Sequence, residues 1–231
     1  MPCFQIQPQD HRPDSPASLG GSPLLPADQP WPACEHCQTP MTFFLQFPVQ
    51  AEWKTKLKPG SQLSLFMCLK HSDPLMPPLQ PKLKGELPQR FWELKASDRE
   101  YSQFLLQLTP PEQALVAQSA RPGLVPRSLR FEPHAEALQP GGRTKLVEAL
   151  FKIGGTPSWF QDPEKYTCCC GAAMDFLFQI PKDMEFPKQS EAPVQENTFS
   201  DDHYLFFLGN EVYVFACRAQ CHPQALWPIS Q

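Results

Sequence analysis

Nine cysteines are the residues of this 231-residue chain whose type and spacing could support chemistry. Apart from Cys3 they fall into two groups, and each group, with His71 added to the first, contains two close pairs of possible ligands separated by an apolar stretch. Structural zinc sites have this layout, because two turns must hold four thiolate or imidazole donors around the ion. We therefore predict one or two structural zinc ions per chain. The candidate ligands are Cys34, Cys37, Cys68 and His71 in one group, and Cys168, Cys170, Cys217 and Cys221 in the other.

The second group leaves the choice of ligands open. Cys168 and Cys170 are separated by one residue, which makes a less comfortable chelate than a Cys-x2-Cys pair, and Cys169 could take the place of Cys168. His36 and His222 are competing donors. Two other fates are open to the cysteines. They could be buried free thiols at strand ends, or they could form disulfides, which a chain without a signal peptide does not favour.

A zinc ion with four protein ligands has no open position for a substrate water, so such an ion serves folding and not catalysis. The sequence also lacks a nucleophile elbow, a phosphate-binding glycine loop, a His-Glu-x-x-His motif and a dinucleotide fingerprint. We therefore expect a protein that is not an enzyme. A hydrolase or nuclease that uses a Cys/His cluster is the alternative, because nine cysteines and six histidines always allow some nucleophile to pair with a base.

The cysteine groups belong to a pattern that the chain contains twice. A Gly-Gly-x-Pro turn is followed by a cysteine pair, then by a strand of the form Met-x-x-[Phe/Leu]-x-Gln, and then by an apolar strand that ends in cysteine. An internal duplication explains this order, and such repeats are an early indication of architecture. The matching positions are Gly20-Gly21 and Gly154-Gly155, Met41 and Met174, Gln46 and Gln179, and the stretches Leu63–Cys68 and Val212–Cys217.

The duplication divides the chain into a Pro-rich lead-in at 1–19, a first repeat at 20–74, a connector at 75–145 and a second repeat at 146–231. We expect the two repeats to pack as one body. The 29 prolines are more than twice the usual share of about 5%. Because proline breaks helices and removes backbone donors, much of the chain should be loop or edge strand.

Each repeat is predicted to contribute a core strand and a hairpin. Met41–Val49 should be the core strand of the first repeat. The turn residues Pro59-Gly60-Ser61 should join Trp53–Lys58 to Leu63–Cys68, and Gly209-Asn210 should join Tyr204–Leu208 to Glu211–Cys217.

The connector is predicted to be partly helical. A capping box at Ser97–Glu100 precedes apolar residues at helical spacing, although Phe104–Leu108 could equally be a strand. Thr109-Pro110-Pro111-Glu112 resembles a helix start, and Arg143–Ile153 has one apolar face and ends at a Gly-Gly pair. The predicted fold class is therefore α+β, with mostly antiparallel strands in two duplicated halves and a partly helical, Pro-rich connector.

The net charge of −4 gives no global positive field, so direct binding to nucleic acid is not expected. One stretch is locally acidic and could dock a basic partner, or it could be a solvated loop. No apolar run is long enough to span a membrane, and the N-terminal residues lack a basic and an apolar region, so we expect a cytoplasmic protein. The acids of this acidic segment are Asp183, Glu185, Glu191, Glu196, Asp201 and Asp202.

Several of these motifs resemble known families. Residues 154–161, 170–180 and 204–207 are similar to the bacterial YwqG-like domain of unknown function. The cysteine pairs, the two Met-x-Phe-[Phe/Leu]-x-Gln strands and Phe215-x-Cys217-x3-Cys221 also resemble the related eukaryotic programmed cell death protein 2 group. The resemblance covers 20–74 and 146–227, and the first repeat departs from it: Leu25 stands where the second repeat has Trp159.

What the resemblance implies is a protein that binds another protein. The bacterial relatives have been suggested as immunity proteins against toxins, which makes neutralisation of a toxin by direct contact our leading hypothesis. The eukaryotic group is associated with chaperoning a ribosomal protein, so a chaperone for a basic client is the alternative. An acidic segment suits a basic partner of either kind.

Overall fold

The computed structural model describes residues 1–72, 85–94, 102–136, 138–139, 143–144, 150–182, 184–196, 198 and 200–231, with the side chains of 102, 138, 139, 143 and 144 excepted. The described residues form sixteen strands and three short 3₁₀ helices, at Ala51–Trp53, Phe91–Glu93 and Phe206–Gly209. The strands are β1 (Cys3–Gln9), β2 (Ser18–Leu19), β3 (Leu24–Pro26), β4 (Thr42–Pro48), β5 (Gln62–Ser72), β6 (Ser102–Thr109), β7 (Leu115–Ala117), β8 (Arg127–His134), β9 (Leu138–Gln139), β10 (Arg143–Thr144), β11 (Lys152–Gly154), β12 (Met174–Ile180), β13 (Glu185–Pro187), β14 (His203–Leu205), β15 (Val212–Cys217) and β16 (Leu226–Ser230).

The predicted α+β class is wrong, because the structure is almost entirely β, with 42% strand and only 5% helix. The stretch after the capping box is β6, so the strand alternative for Phe104–Leu108 is confirmed. Its apolar residues pair with the buried β5, and this pairing outweighs the local helical spacing. The capping box Ser97–Glu100 itself lies outside the described residues.

The two other helix predictions are also not borne out by the described residues. Thr109 ends β6, and Gln113 donates to the carbonyl of Pro110 in a tight turn. Arg143–Thr144 is a short strand and Lys152–Gly154 is β11, while 145–149 lie outside the described part of the chain.

The strand predictions are confirmed for β4, β5 and β15, but both hairpins are wrong. β5 pairs with β4 and not with residues 53–58, where Trp53 ends a 3₁₀ helix and Lys54 is left-handed. Tyr204 belongs to β14, which pairs with β13, and β15 pairs with β12 and β16. Each turn therefore joins an irregular segment to a strand that pairs with other strands of the sheet and not with that segment.

Ten of the strands form one sheet, in the order β16-β15-β12-β11-β1-β8-β2-β4-β5-β6. The sheet curls so far that its two edges meet, since the Leu108 N–H in β6 donates to the carbonyl of Pro223, just before β16, at 2.9 Å. The apolar side chains from both ends of the sheet share one core. Within the described part of the chain, no helix is long and apolar enough to cross a bilayer.

The sheet order is a palindrome in which a first set of strands (β1, β2, β4, β5, β6) mirrors a second set (β8, β11, β12, β15, β16). Each set contains the same irregularity: the ladder shifts at Phe44 in β4 and at the equivalent Leu177 in β12. Gln46 and Gln179 also make equivalent hydrogen bonds. The side-chain oxygen of Gln46 accepts the N–H of Leu24 at 2.7 Å, and that of Gln179 accepts the N–H of Ser158 at 2.9 Å. Equivalent strand partners are Thr42–Met67 and Asp175–Ala216, then Gln46–Ser64 and Gln179–Tyr213.

The first strand of each set pairs with the other set. β1 lies beside β11, and β8 lies beside β2, so the sets exchange a strand across the middle of the sheet. β1 and β8 pair antiparallel with Gln7 opposite Arg130, and these two residues hold equivalent places, which puts a pseudo-two-fold axis through the pair. Residues 1–19, which we predicted as a lead-in, thus contain two strands of the large sheet.

Candidate metal centres

The structure brings the four candidate ligands of the N-terminal group together, and we call this set the first cluster. The Sγ atom of Cys68 lies 3.7 Å from that of Cys37 and 3.5 Å from Nδ1 of His71. The Sγ atom of Cys34 lies 3.7 Å from the same nitrogen. All four ligand atoms lie within 4.8 Å of one another.

The second cluster consists of Cys168, Cys170, Cys217 and Cys221, again with all sulfur atoms within 4.8 Å of one another. The Sγ atoms of Cys168 and Cys221 are 3.6 Å apart, and those of Cys170 and Cys217 are 3.5 Å apart. Cys169 lies beside the cluster, with its sulfur 3.9 Å from that of Cys168. The structure thus places Cys168 in the cluster and leaves Cys169, His36 and His222 out of both clusters.

These separations suit a tetrahedral zinc ion. With Zn–S near 2.3 Å and Zn–N near 2.05 Å, tetrahedral geometry puts neighbouring sulfurs about 3.8 Å apart, and sulfur and nitrogen about 3.6 Å apart. Five of the observed distances fall between 3.5 and 3.7 Å, and the others do not exceed 4.8 Å. Both clusters are therefore able by geometry to hold a metal ion.

Equivalent turns present the ligands in both clusters. Gln38 donates its N–H to the carbonyl of Cys34, and Gly171 donates to Cys168, at 2.8 Å in each case. Both donors are left-handed, with φ of 59° and 84°, so the chain reverses directly after the second cysteine of the pair. The second cluster closes its turn within a Cys-x-Cys spacing, because glycine adopts this conformation without strain.

Burial raises the pKa of the Cys34 thiol to about 12, and burial also raises that of Cys217. One thiol in each cluster has a lowered pKa instead. Burial acts to raise the pKa of Cys37, but hydrogen bonds from the side chain and backbone of Thr39 outweigh it and lower the pKa. At the equivalent Cys170, a backbone N–H from Ala172 lowers the pKa. Because zinc binds thiolates, metal binding would displace protons from the other cysteines and would weaken at low pH.

The surroundings of the two clusters differ. Cys34 and Cys68 pack into a small core with Leu25, Met41 and Phe66. At the second cluster, the ring of Trp92 stacks on His222 with centroids 4.6 Å apart. The 3₁₀ helix Phe91–Glu93, which lies between β5 and β6 in the chain, therefore covers the loop that carries Cys221.

The loop of the second cluster also contacts the first set through hydrogen bonds. The side chain of Gln220 donates to the carbonyl of Lys56 at 2.6 Å and accepts the N–H of Lys58 at 3.2 Å. The second cluster therefore lies at the seam where the curled sheet nearly closes.

The acidic segment lies on the surface. Its five described acids are all exposed, and Asp183 lies outside the described residues. Glu185 and Asp202 both approach His203, with Asp202 Oδ1 at 2.8 Å from Nδ1 and Glu185 Oε1 at 3.5 Å from Nε2. A histidine ties two of the acids to β13 and β14, so this part of the segment has a defined shape.

A group of buried charges near the centre of the sheet is not predicted by any of the sequence motifs. Lys152 in β11 is almost fully buried and contacts Glu136, while Glu211 accepts hydrogen bonds from Gln179 and from the backbone of Lys182. Ser18 and Gln62 occupy the equivalent places in the first set. The signal available in the sequence was that the charged Lys152 and Glu211 correspond to neutral residues at the equivalent positions of the first set.

Burial raises the pKa of Glu211 to about 7 from its ordinary value of 4.5. The folded protein therefore holds this proton more tightly than the unfolded chain does. Protonated Glu211 is compatible with the fold, whereas its ionisation costs free energy, so the protein loses stability as the pH rises from 4.5 to about 7. We expect the wild-type protein to lose stability relative to Glu211→Gln over this interval, as measured by urea unfolding at a series of pH values. The exposed Glu52→Gln is the control, and parallel curves for wild type and Glu211→Gln would contradict the assignment.

No protein family matches the chain, and no curated protein matches it either.

Proposed function

We propose that this protein is a non-enzymatic scaffold that binds another protein, with a toxin neutralised by direct contact as the partner, and that its clusters hold two structural zinc ions. The zinc part of the proposal is supported by the four possible ligands that each cluster brings together, and the partner part by the exposed acidic segment and the family resemblance. A zinc ion so bound has no open position for a substrate, and its binding free energy goes into folding. The ions would hold together the ends of the strands in a chain that has 29 prolines and whose described residues have little regular structure besides strands.

The acidic segment supplies the surface for a basic partner. Exposed carboxylates of one sign accelerate encounter with an oppositely charged protein, and they are worth more in association rate than in final affinity. Five exposed acids between residues 185 and 202 give this part of the surface such a character. Among the described residues between these acids, Lys188 is the only basic one, and the half-buried His203 follows Asp202 directly.

The partner is identified by purifying the full-length protein from cells at low salt and analysing bound proteins by mass spectrometry. One dominant toxin at a stoichiometric ratio is the expected result. A basic ribosomal protein would instead support the chaperone alternative, which the resemblance to the programmed cell death protein 2 group implies. Recovery of neither would contradict both.

Changing the five described acids of the segment to amides should slow association with this partner about tenfold or more at low salt, and less at 0.5 M salt. The variant carries Glu185→Gln, Glu191→Gln, Glu196→Gln, Asp201→Asn and Asp202→Asn. The matched control changes five exposed acids elsewhere, and therefore alters the net charge equally: Asp10→Asn, Asp14→Asn, Asp28→Asn, Glu52→Gln and Asp162→Asn. Surface plasmon resonance at several salt concentrations measures both, and equal salt dependence in the two variants would exclude the segment from the interface.

A further inference from the structure

A cavity of about 370 Å³ opens beside the first cluster. Trp31, Met41, Phe43 and Leu69 line it, and they are joined at the rim by Val194, which is 71% exposed. The indole Nε1 of Trp31 donates to the carbonyl of Met41 at 2.8 Å, so the ring is held in place as a wall. Cavities of this size and apolar character are typical of sites for small ligands or single side chains.

The pseudo-two-fold axis relates this cavity to a second one of about 320 Å³ beside the second cluster. Each cavity lies between a Gly-Gly turn and the ends of a strand pair, and each is completed by a segment from the other set. The equivalent residues are Gly21 and Gly155, Thr42 and Asp175, Phe43 and Phe176, and Leu69 and Arg218.

The two cavities have diverged at two of these positions. In the second cavity Arg218 and Asp175 form a bidentate ion pair, with Nε to Oδ2 at 2.9 Å and Nη2 to Oδ1 at 2.5 Å. In the first cavity Leu69 and Thr42 stand in their places. The first cavity therefore has an uncharged pair of side chains where the second cavity has an ion pair.

The mouth of the first cavity carries two cations. The guanidinium carbon of Arg121 lies 5.1 Å above the centre of the Trp31 ring, and Lys70 is exposed at the edge. Among the described residues, no carboxylate oxygen lies within 4 Å of the charged nitrogens of either. One lining carboxylate, Glu191, accepts a hydrogen bond from its neighbour Ser190. Two cations against one anion favour a ligand with a negative charge.

We propose that the first cavity binds a ligand with an apolar body and a carboxylate. The apolar body would pack against Trp31 and Leu69, and the carboxylate would pair with Arg121 at the mouth, where a planar guanidinium can donate two hydrogen bonds. Either a small aryl or alkyl carboxylate or the C-terminal residue of a peptide has this chemistry. The site does not depend on the toxin partner proposed above, although Glu191 belongs both to its lining and to the acidic segment.

The test titrates 3-phenylpropionate into the full-length protein and follows the Trp31 indole N–H resonance by NMR, assigned with Trp31→Phe. We expect saturable binding, and at least about tenfold weaker binding of the neutral 3-phenylpropanamide, since a charge-assisted hydrogen bond is lost. Arg121→Gln should weaken the acid about tenfold and remove its advantage over the amide, whereas Arg121→Lys should retain part of it. Lys56→Gln, in the second cavity, should change nothing.

A double variant gives the first cavity the ion pair of the second. Thr42→Asp with Leu69→Arg installs the ion pair of the second cavity and should abolish binding. If that variant does not fold, Val194→Asp at the exposed rim should weaken binding by placing a like charge near the carboxylate. Tight binding of acetyl-Gly-Gly-Phe with a free C-terminus, but not of its C-terminal amide, would identify the peptide source, and binding of phenylpropionate without the peptide would identify the small-molecule source. Absence of saturable shifts with both acids, or equal affinity for acids and amides, would overturn the proposal.

Discussion

Cys170→Ser is expected to remove one zinc ion per chain and to lower the free energy of unfolding by more than about 3 kcal/mol, because metal-ligand binding contributes directly to folding in structural zinc sites. Cys170 is an exposed member of the second cluster. If the cysteines were only small apolar residues, an exposed serine would change stability by about 0.5 kcal/mol or less. The size of the effect therefore separates the metal-site hypothesis from the free-thiol alternative. Urea unfolding and elemental analysis of the purified protein measure it.

The neighbouring Cys169→Ser is the matched control, since its sulfur lies beside the cluster but outside the ligand set. It should leave two zinc ions per chain and nearly unchanged stability. A strong chelator should reduce the midpoint of thermal unfolding of the wild-type protein toward that of a Cys170→Ser, Cys37→Ser double variant. Protein that contains no metal and unfolds at the same midpoint with and without chelator would contradict the assignment.

The grouping of the cluster residues could be predicted from the sequence because ligand pairs are local in the chain. Cys34 and Cys37 belong to one turn, and Cys68 and His71 belong to the end of one strand, so spacing alone indicated each pair. The internal repeat indicated which pairs belong together. The identity of the fourth ligand in the second cluster was open because Cys168 and Cys169 are neighbours in the chain, and the structure groups Cys168 with the other three cysteines.

The fold class could not be predicted because the decisive pairings are distant in sequence. β6 has apolar residues that fit a helix as well as a strand, and only its pairing with β5 settles the matter. β1 contains two glutamines among its interior residues and a proline, which are typical of a loop, yet Phe4 and Ile6 alternate inward with the period of a strand. Its partners are β8 and β11, more than a hundred residues away, and no local pattern predicts an exchanged strand.

The exchange of β1 and β8 explains why duplication has produced one sheet and not two separate units. Each set needs the first strand of the other to continue its ladder, so neither can complete its part of the sheet alone. Equivalent positions have nevertheless diverged in charge. Ser18 bonds the carbonyl of Gly20 through its hydroxyl, whereas Lys152 at the equivalent place carries a buried charge that must be matched.

Glu136→Gln should therefore be the most destabilising single change among the acids, by about 3–5 kcal/mol, because it removes the carboxylate that directly contacts the buried ammonium of Lys152. The nearby Glu211 is a poor substitute, since burial raises its pKa to about 7. The Lys152 side chain is only 2% exposed, and its Nζ lies 2.5 Å from Glu136 Oε1 and 2.7 Å from the carbonyl of Thr156. The carboxylate also accepts the Thr156 N–H at 2.9 Å and lies directly against the backbone of Gly155.

Glu112→Gln is the matched control, because Glu112 also forms a short ion pair, with Lys58 at 2.7 Å, but on the surface, where such pairs contribute about 0–1 kcal/mol. Adding Lys152→Met to Glu136→Gln should restore most of the lost stability, since it removes the unmatched charge and keeps the volume. Urea unfolding of the four proteins measures these differences. Equal losses for Glu136→Gln and Glu112→Gln would mean that the Lys152 ammonium reaches water, and that the centre of the sheet is open where the structure has it closed.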